Sequence, residues 1–246
     1  MRQAFACVVA IVVLASGPRT AEAGRVFFGW LYGTEVMPER GVELQQWVYE
    51  KSNLGDSRIR ESSIWWAPLI GVTDQLTIAI PVELEWLAQK GKETEYNFRR
   101  FGVEARYRLV TQDPEDKPAF APLIRVGVKR DVEVRDVVLL EGDFVGSFDS
   151  GRLQLLVDLG VVGTVSRETA KIDLRPGVGF SVRMKGDFRL GAEAYGEVNL
   201  QEGGNKWFGV GPNFAWTQGR FWLSGAMLVG ISNIKVAPRF MFGISF

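Results

Sequence analysis

The chain contains no histidine. Histidine is the side chain whose ordinary pKa lies near neutrality, so the commonest general base is missing. Cysteine occurs once, at Cys7, inside an N-terminal apolar run. A cysteine nucleophile, a disulfide framework and zinc sites made from cysteine or histidine are therefore excluded. Long apolar runs are also lacking after that N-terminal stretch: none approaches the ~18 residues of a membrane-spanning helix. No sign of charge prevails either, since 29 basic residues balance 29 acidic ones. Scattered, balanced charge makes a poor generic nucleic-acid binder, and no nucleic-acid partner is expected. Gly177-Val-Gly179 and Gly209-Val-Gly211 do not open helices and are not phosphate loops. No cofactor and no metal site are expected.

What the sequence does have begins with a leader. Met1-Arg2-Gln3 precedes an apolar stretch from Ala4 to Ala15, and Ala21-Glu-Ala23 has the small residues of a cleavage site. Residues 1–23 are expected to be a cleaved secretory signal, with the mature chain starting near Gly24. Its removal takes Cys7, two arginines and one glutamate, so the mature chain has no cysteine and a net charge near −1. Residues 24–41 lack clean alternation and read as a short periplasmic lead-in or a segment tucked into the mouth of the fold, with an extra strand as the alternative. Residues 42–246 form the main body.

That body is all strand by period. In a strand, alternate side chains point to opposite faces. Ile234, Val236, Pro238, Phe240, Phe242, Ile244 and Phe246 are all apolar, while Lys235, Arg239 and Ser245 fall between them. Leu76–Leu87, Tyr96–Val110, Ala119–Arg130, Ala170–Met184 and Phe188–Leu200 alternate in the same way. Further strands are expected near Val42–Ser52, Arg58–Val72, Val132–Val145, Arg152–Val165, Trp207–Thr217 and Phe221–Ser232, giving twelve, with ten or fourteen as alternatives. The last run exceeds the ~9–11 residues that carry a tilted strand across a bilayer. With no apolar helix, the membrane option is a closed sheet, because an open edge in lipid leaves backbone groups unpaired.

The terminal pattern resembles the final strand of Gram-negative outer-membrane β-barrel proteins, which alternates apolar residues and ends in phenylalanine. The resemblance implies a closed antiparallel transmembrane β-barrel in the outer membrane, surrounded by its lipid. It also implies that Phe240, Phe242, Ile244 and Phe246 are the signal read by the barrel-insertion machinery. Gly71-Val-Thr-Asp-Gln-Leu-Thr-Ile78, after Trp65-Trp66, is similar to a strand–turn–strand repeat of outer-membrane transporters linked to aromatic-compound breakdown. Enzymes among such barrels use Ser-His or Asp-His sites, so no enzymatic activity is expected here.

With the C-terminus periplasmic, the turns at Thr73–Gln75, Thr111–Pro118, Asp149–Gly151, Lys185–Asp187 and Gln218–Arg220 fall on that side. The loops at Gln89–Glu95 and Gln201–Lys206 fall outside, and none is long. Trp216, Phe221 and Trp222 are expected in an aromatic girdle. Pro122, Pro176, Pro212 and Pro238 lie on the apolar parity. Each is expected at a bulge or strand end, because proline cannot donate to a ladder.

The opposite parity supplies the candidate site. Glu83, Glu85, Glu104, Arg106, Arg108, Arg125, Lys129, Lys171, Asp173, Arg175, Arg183, Arg189, Glu193, Glu197 and Arg239 are expected to face the lumen. Paired carboxylates such as Glu83 with Glu85, or Glu193 with Glu197, could serve glycoside hydrolysis or calcium binding. Cross-strand ion pairing with the many inward cations is the expected outcome. The function expected is a passive channel or transporter for small polar or charged solutes, with mild anion preference through Arg106 and Arg108. The alternative is a plugged barrel with an envelope-structural or anchoring role, filled by ion pairs, Tyr195 and Trp222 and capped by Phe27–Tyr32.

Overall fold

The computed structural model describes residues 25–54, 59–89, 91–111, 119–201 and 204–246. The expected signal over 1–23 and most of the turn at Thr111–Pro118 lie outside them. The strands are β1 (Val42–Leu54), β2 (Ile59–Gly71), β3 (Leu76–Ala79), β4 (Val82–Ala88), β5 (Glu95–Arg108), β6 (Phe120–Asp131) and β7 (Val138–Ser150). They continue with β8 (Leu153–Val165), β9 (Ala170–Lys185), β10 (Phe188–Asn199), β11 (Lys206–Gln218), β12 (Phe221–Ser232) and β13 (Val236–Ser245). All pairing is antiparallel. β1 closes on β13, with Leu44 opposite Ile244 and Trp47 opposite Met241, so the sheet has no free edge. β3 and β4 both lie between β2 and β5 and are collinear pieces of one stave. The result is a closed twelve-stave barrel.

The exposure pattern is inverted relative to a water-soluble protein. On β6, Val126 and Val128 are 53% and 54% exposed, whereas Arg125 and Lys129 are 1% and 4% exposed. Phe101, Leu140, Leu159, Val178, Met227 and Phe240 continue the exposed apolar surface around the barrel, while Glu104, Asp158 and Glu193 are buried within it. So large a contiguous apolar exterior is stable in lipid and not in water. Among the described residues no helix is long and apolar enough to cross a membrane; the strands do the crossing.

Three of the turns at the C-terminal rim have two residues and begin with glycine: Gly151, Gly186 and Gly219 have φ of 57°, 58° and 59°. That left-handed first position suits a type II′ hairpin, which matches the twist of its strands and favours glycine.

Several expectations are corrected. The stave expected to run unbroken from Leu76 to Leu87 is interrupted at Ile80 and Pro81, where the proline has no N–H to give the ladder. The strand expected over Val132–Val145 starts only at Val138. Asp131 instead accepts from the amides of Glu133 and Val134 and folds that stretch into a turn. At the other end, β7 continues to Ser150, through part of the turn expected at Asp149–Gly151. Pro176 and Pro212 lie at neither bulges nor strand ends. Each pairs on one side, with Leu159 and Ala192 respectively, and the ladder on its other side skips it and resumes in unchanged register. Ile234 is not part of the outer face: it is buried in an interior cluster with Trp30 and Leu228. Trp222 is also interior, 2% exposed, and donates to Glu43 instead of joining a girdle.

Candidate functional site

The described part of the lead-in forms no strand, and it is buried inside the barrel. Val26, Phe28, Trp30, Leu31, Val36 and Met37 are nearly inaccessible. They pack against inward residues that include Leu69, Leu123, Val145, Leu156 and Trp222. The segment starts beside Trp222 and Met241, near the C-terminal rim. It rises to Trp30 and Tyr32, then returns to the same rim, where the Arg40 amide donates to the Gly71 carbonyl.

A buried segment without its own ladder must find partners for its backbone. The lumen supplies them. Glu193 accepts from the amides of Gly29 and Trp30, at 3.2 and 2.9 Å. Asp158 accepts from the Tyr32 amide at 2.9 Å, and Thr77 from that of Met37 at 2.8 Å. Arg108 donates to the Thr34 carbonyl and Ser224 to that of Phe28. The wall is cut to fit. A Cβ on Gly177 would strike Leu31, and one on Gly179 would lie 2.9 Å from both Leu31 and Phe28.

Beneath Tyr32 lies a dense ion cluster. The Arg125 guanidinium stacks on the Tyr32 ring at 4.1 Å and pairs with Glu104, Glu141 and Asp143 at 2.5, 2.9 and 2.7 Å. Arg106 is bound to Glu104 at 2.7 Å.

Toward the opposite rim the segment leaves space. A cavity of about 640 Å³ is lined by Trp30, Tyr32, Trp47, Tyr49 and Tyr195 together with seven cations and five carboxylates. A second cavity of about 760 Å³ at the rim shares Lys171, Glu197 and Asn205 with it, so the two adjoin. Within this vestibule, Lys51 pairs with Glu61 and Glu197 at 3.2 and 3.0 Å, and Arg99 with Glu85 at 3.2 Å. Other pairs are looser: Arg100 to Glu83 is 3.7 Å, Arg175 to Glu197 is 3.7 Å and Lys129 to Glu83 is 4.0 Å.

The structure thus distributes the sequence candidates among several settings. Glu83, Glu85, Lys129, Lys171, Arg175, Glu197 and Arg239 line the vestibule. Asp173 lines the outer cavity and accepts from Asn199. Glu104, Arg106, Arg108, Arg125 and Glu193 hold the segment or the ion cluster. Arg189 stacks on Phe27 and bonds Ser181. Arg183 is exposed near the C-terminal rim. Phe240, Ile244 and Phe246 are exposed on the outer face, with Phe242 half-buried beside them. Glu193 and Glu197 do not act as a pair, since Glu193 binds amides while Glu197 binds Lys51 and the Trp207 indole at 2.9 Å; Glu83 and Glu85 share Arg100, at 3.7 and 4.0 Å. Among the described residues, no group of histidine, cysteine, aspartate and glutamate could hold a metal ion.

Sequence reasoning missed Lys51, Glu61, Arg99, Glu141, Asp143 and Asp158, and named Trp30 and Tyr32 only within a cap over Phe27–Tyr32. Lys51 continues the inward parity of Glu43, Gln45, Trp47 and Tyr49 and was legible. Glu141 and Asp143 were hidden by the apolar run Val137–Leu140, and nothing local shows how deep Trp30 and Tyr32 enter the barrel.

No protein-family model matches the chain, and no curated protein matches it by sequence. Solved structures do. An outer membrane channel from Pseudomonas putida F1 has a TM-score of 0.59 at 7% identity, covering 94% of this chain and 100% of that one. The translocator domain of the autotransporter NalP from Neisseria meningitidis has a TM-score of 0.53 at 11% identity, covering 100% and 94%. The KdgM porin in complex with oligogalacturonate has a TM-score of 0.52 at 8% identity, covering 84% and 99%. These neighbours are channels and a translocator, so their likeness is one of architecture. The fold of this chain is that of Gram-negative outer-membrane β-barrels.

Proposed function

We propose that the protein is an outer-membrane channel for small polar or charged solutes, open to the outside through its vestibule and closed toward the periplasm by its own N-terminal segment. The observation that carries this reading is the vestibule itself, a charged cavity of about 640 Å³ with an aromatic floor. A barrel serving only as an anchor gains nothing from loosely paired charges around a void, because buried ions are costly unless well paired. The rim with Phe246 is placed in the periplasm, where the insertion machinery would read Phe240, Phe242, Ile244 and Phe246. No catalytic role is assigned.

A second reading rests on the filled half of the lumen. The segment is tied along its length by hydrogen bonds, which favours a permanently plugged barrel with a structural role. Single-channel recording separates the two. The mature protein, refolded into a planar bilayer, is expected to give discrete conductance steps and, in a salt gradient, a reversal potential on the anion-selective side. A silent bilayer, from protein shown to be folded by a heat-dependent gel shift, overturns the channel reading.

A further inference from the structure

At the vestibule floor one cation stands apart from the paired ones. Arg239 on β13 is 6% exposed and lines the cavity. Its guanidinium is flanked by the Trp47 and Trp30 rings, 4.3 and 5.3 Å from their centroids. Among the described residues it makes no ion pair, and its Nε has no hydrogen-bond partner. Of the nearby carboxylates, Glu193 accepts from the Gly29 and Trp30 amides through both oxygens, while Asp158 accepts from the Tyr32 amide through Oδ2 and its Oδ1 has no hydrogen-bond partner. Contact with aromatic rings does not supply the acceptors that a guanidinium's N–H donors need. A buried charge with an unmet donor edge is costly unless something binds it. Arg100 and Arg175, higher in the same cavity, also have Nε atoms without a hydrogen-bond partner and only long ion pairs.

We propose that Arg239, set against the rings of Trp30 and Trp47, is the anchor of a binding subsite for the carboxylate of a small organic acid, a reading that rests on the vestibule being a solute site. A planar fork of donors matches a carboxylate's two oxygens, which is why arginine is suited to this ligand. The aromatic rings around it then contact the acid's carbon body. With seven cations against five carboxylates in the wall, the cavity has room for an added anion.

The test uses the full mature protein folded in detergent, with tryptophan fluorescence as the readout because Trp30 and Trp47 flank the site. Butyrate is expected to give a saturable change, and its uncharged isostere butyramide none at the same concentrations. Arg239→Gln is expected to weaken butyrate at least about tenfold, the scale of losing a charge-assisted pair, and Arg239→Lys to give an intermediate loss. An absent response to butyrate, an equal response to butyramide, or an unchanged affinity in folded Arg239→Gln each overturns the subsite. The comparison of butyrate with butyramide needs no variant, so it stands even if Arg239→Gln fails to fold. A conducting protein that ignores butyrate disproves the subsite alone; a silent one that binds butyrate disproves the channel alone.

Discussion

Arg125 shows what a single residue contributes inside this barrel. It is 1% exposed and shared by three carboxylates on β5 and β7, with the Tyr32 ring over it. Arg125→Met keeps much of the volume but leaves those carboxylates without their common partner. Breaking a buried ion network from one side typically costs ~3–5 kcal/mol. Urea unfolding in detergent, followed by the heat-dependent gel shift, is expected to show a loss of that order. Adding Glu104→Gln is expected to recover part of it by removing one stranded charge. If Arg125→Met unfolds at the wild-type midpoint, the cluster has no structural weight.

One element, the N-terminal segment, fills the part of the lumen near the C-terminal rim. Its seat is made of small inward residues: Gly177 and Gly179 on β9, and Ala226 on β12, whose amide nitrogen lies only 2.5 Å from where a Cβ on Gly29 would be. A side chain at Gly177 must displace Leu31, since packed interiors tolerate little overfilling. Gly177→Leu is therefore expected to expel the segment while the ladder persists. The signs are a higher unit conductance and new protease cleavage near residues 25–37. Unchanged conductance in a folded Gly177→Leu barrel means the segment does not gate the lumen. Little of this was legible beforehand. The sequence offered Phe27–Tyr32 only as a cap on a plugged barrel; its seat in the interior could not be read, because the segment has no periodicity and the partners of Phe28 to Met37 are 40 to 207 residues away.

At the scale of the whole molecule, the closed sheet separates two solvents. Val126, 53% exposed at the middle of β6, belongs to the apolar belt. Val126→Arg puts a charge in hydrocarbon and is expected to destabilise the barrel in lipid vesicles by ~2–4 kcal/mol. A neutral result would place that face out of the bilayer. The neighbouring residue Arg125 faces the opposite way, and this strict alternation is what the sequence by itself determined. A period of two divides each strand into a lipid face and an interior face, and the lack of helical spans leaves closure as the way to satisfy the backbone. The tertiary structure decided how the interior groups are partnered. Glu193 could have been one half of a carboxylate pair, but it became a hydrogen-bond acceptor for Gly29 and Trp30. Arg239 looked like one inward cation among many, and only the arrival of Trp30 beside Trp47 isolates it. Strand parity is a local property of the chain. The partners of an inward side chain depend on strands that meet across the barrel and on a segment that has no local signal.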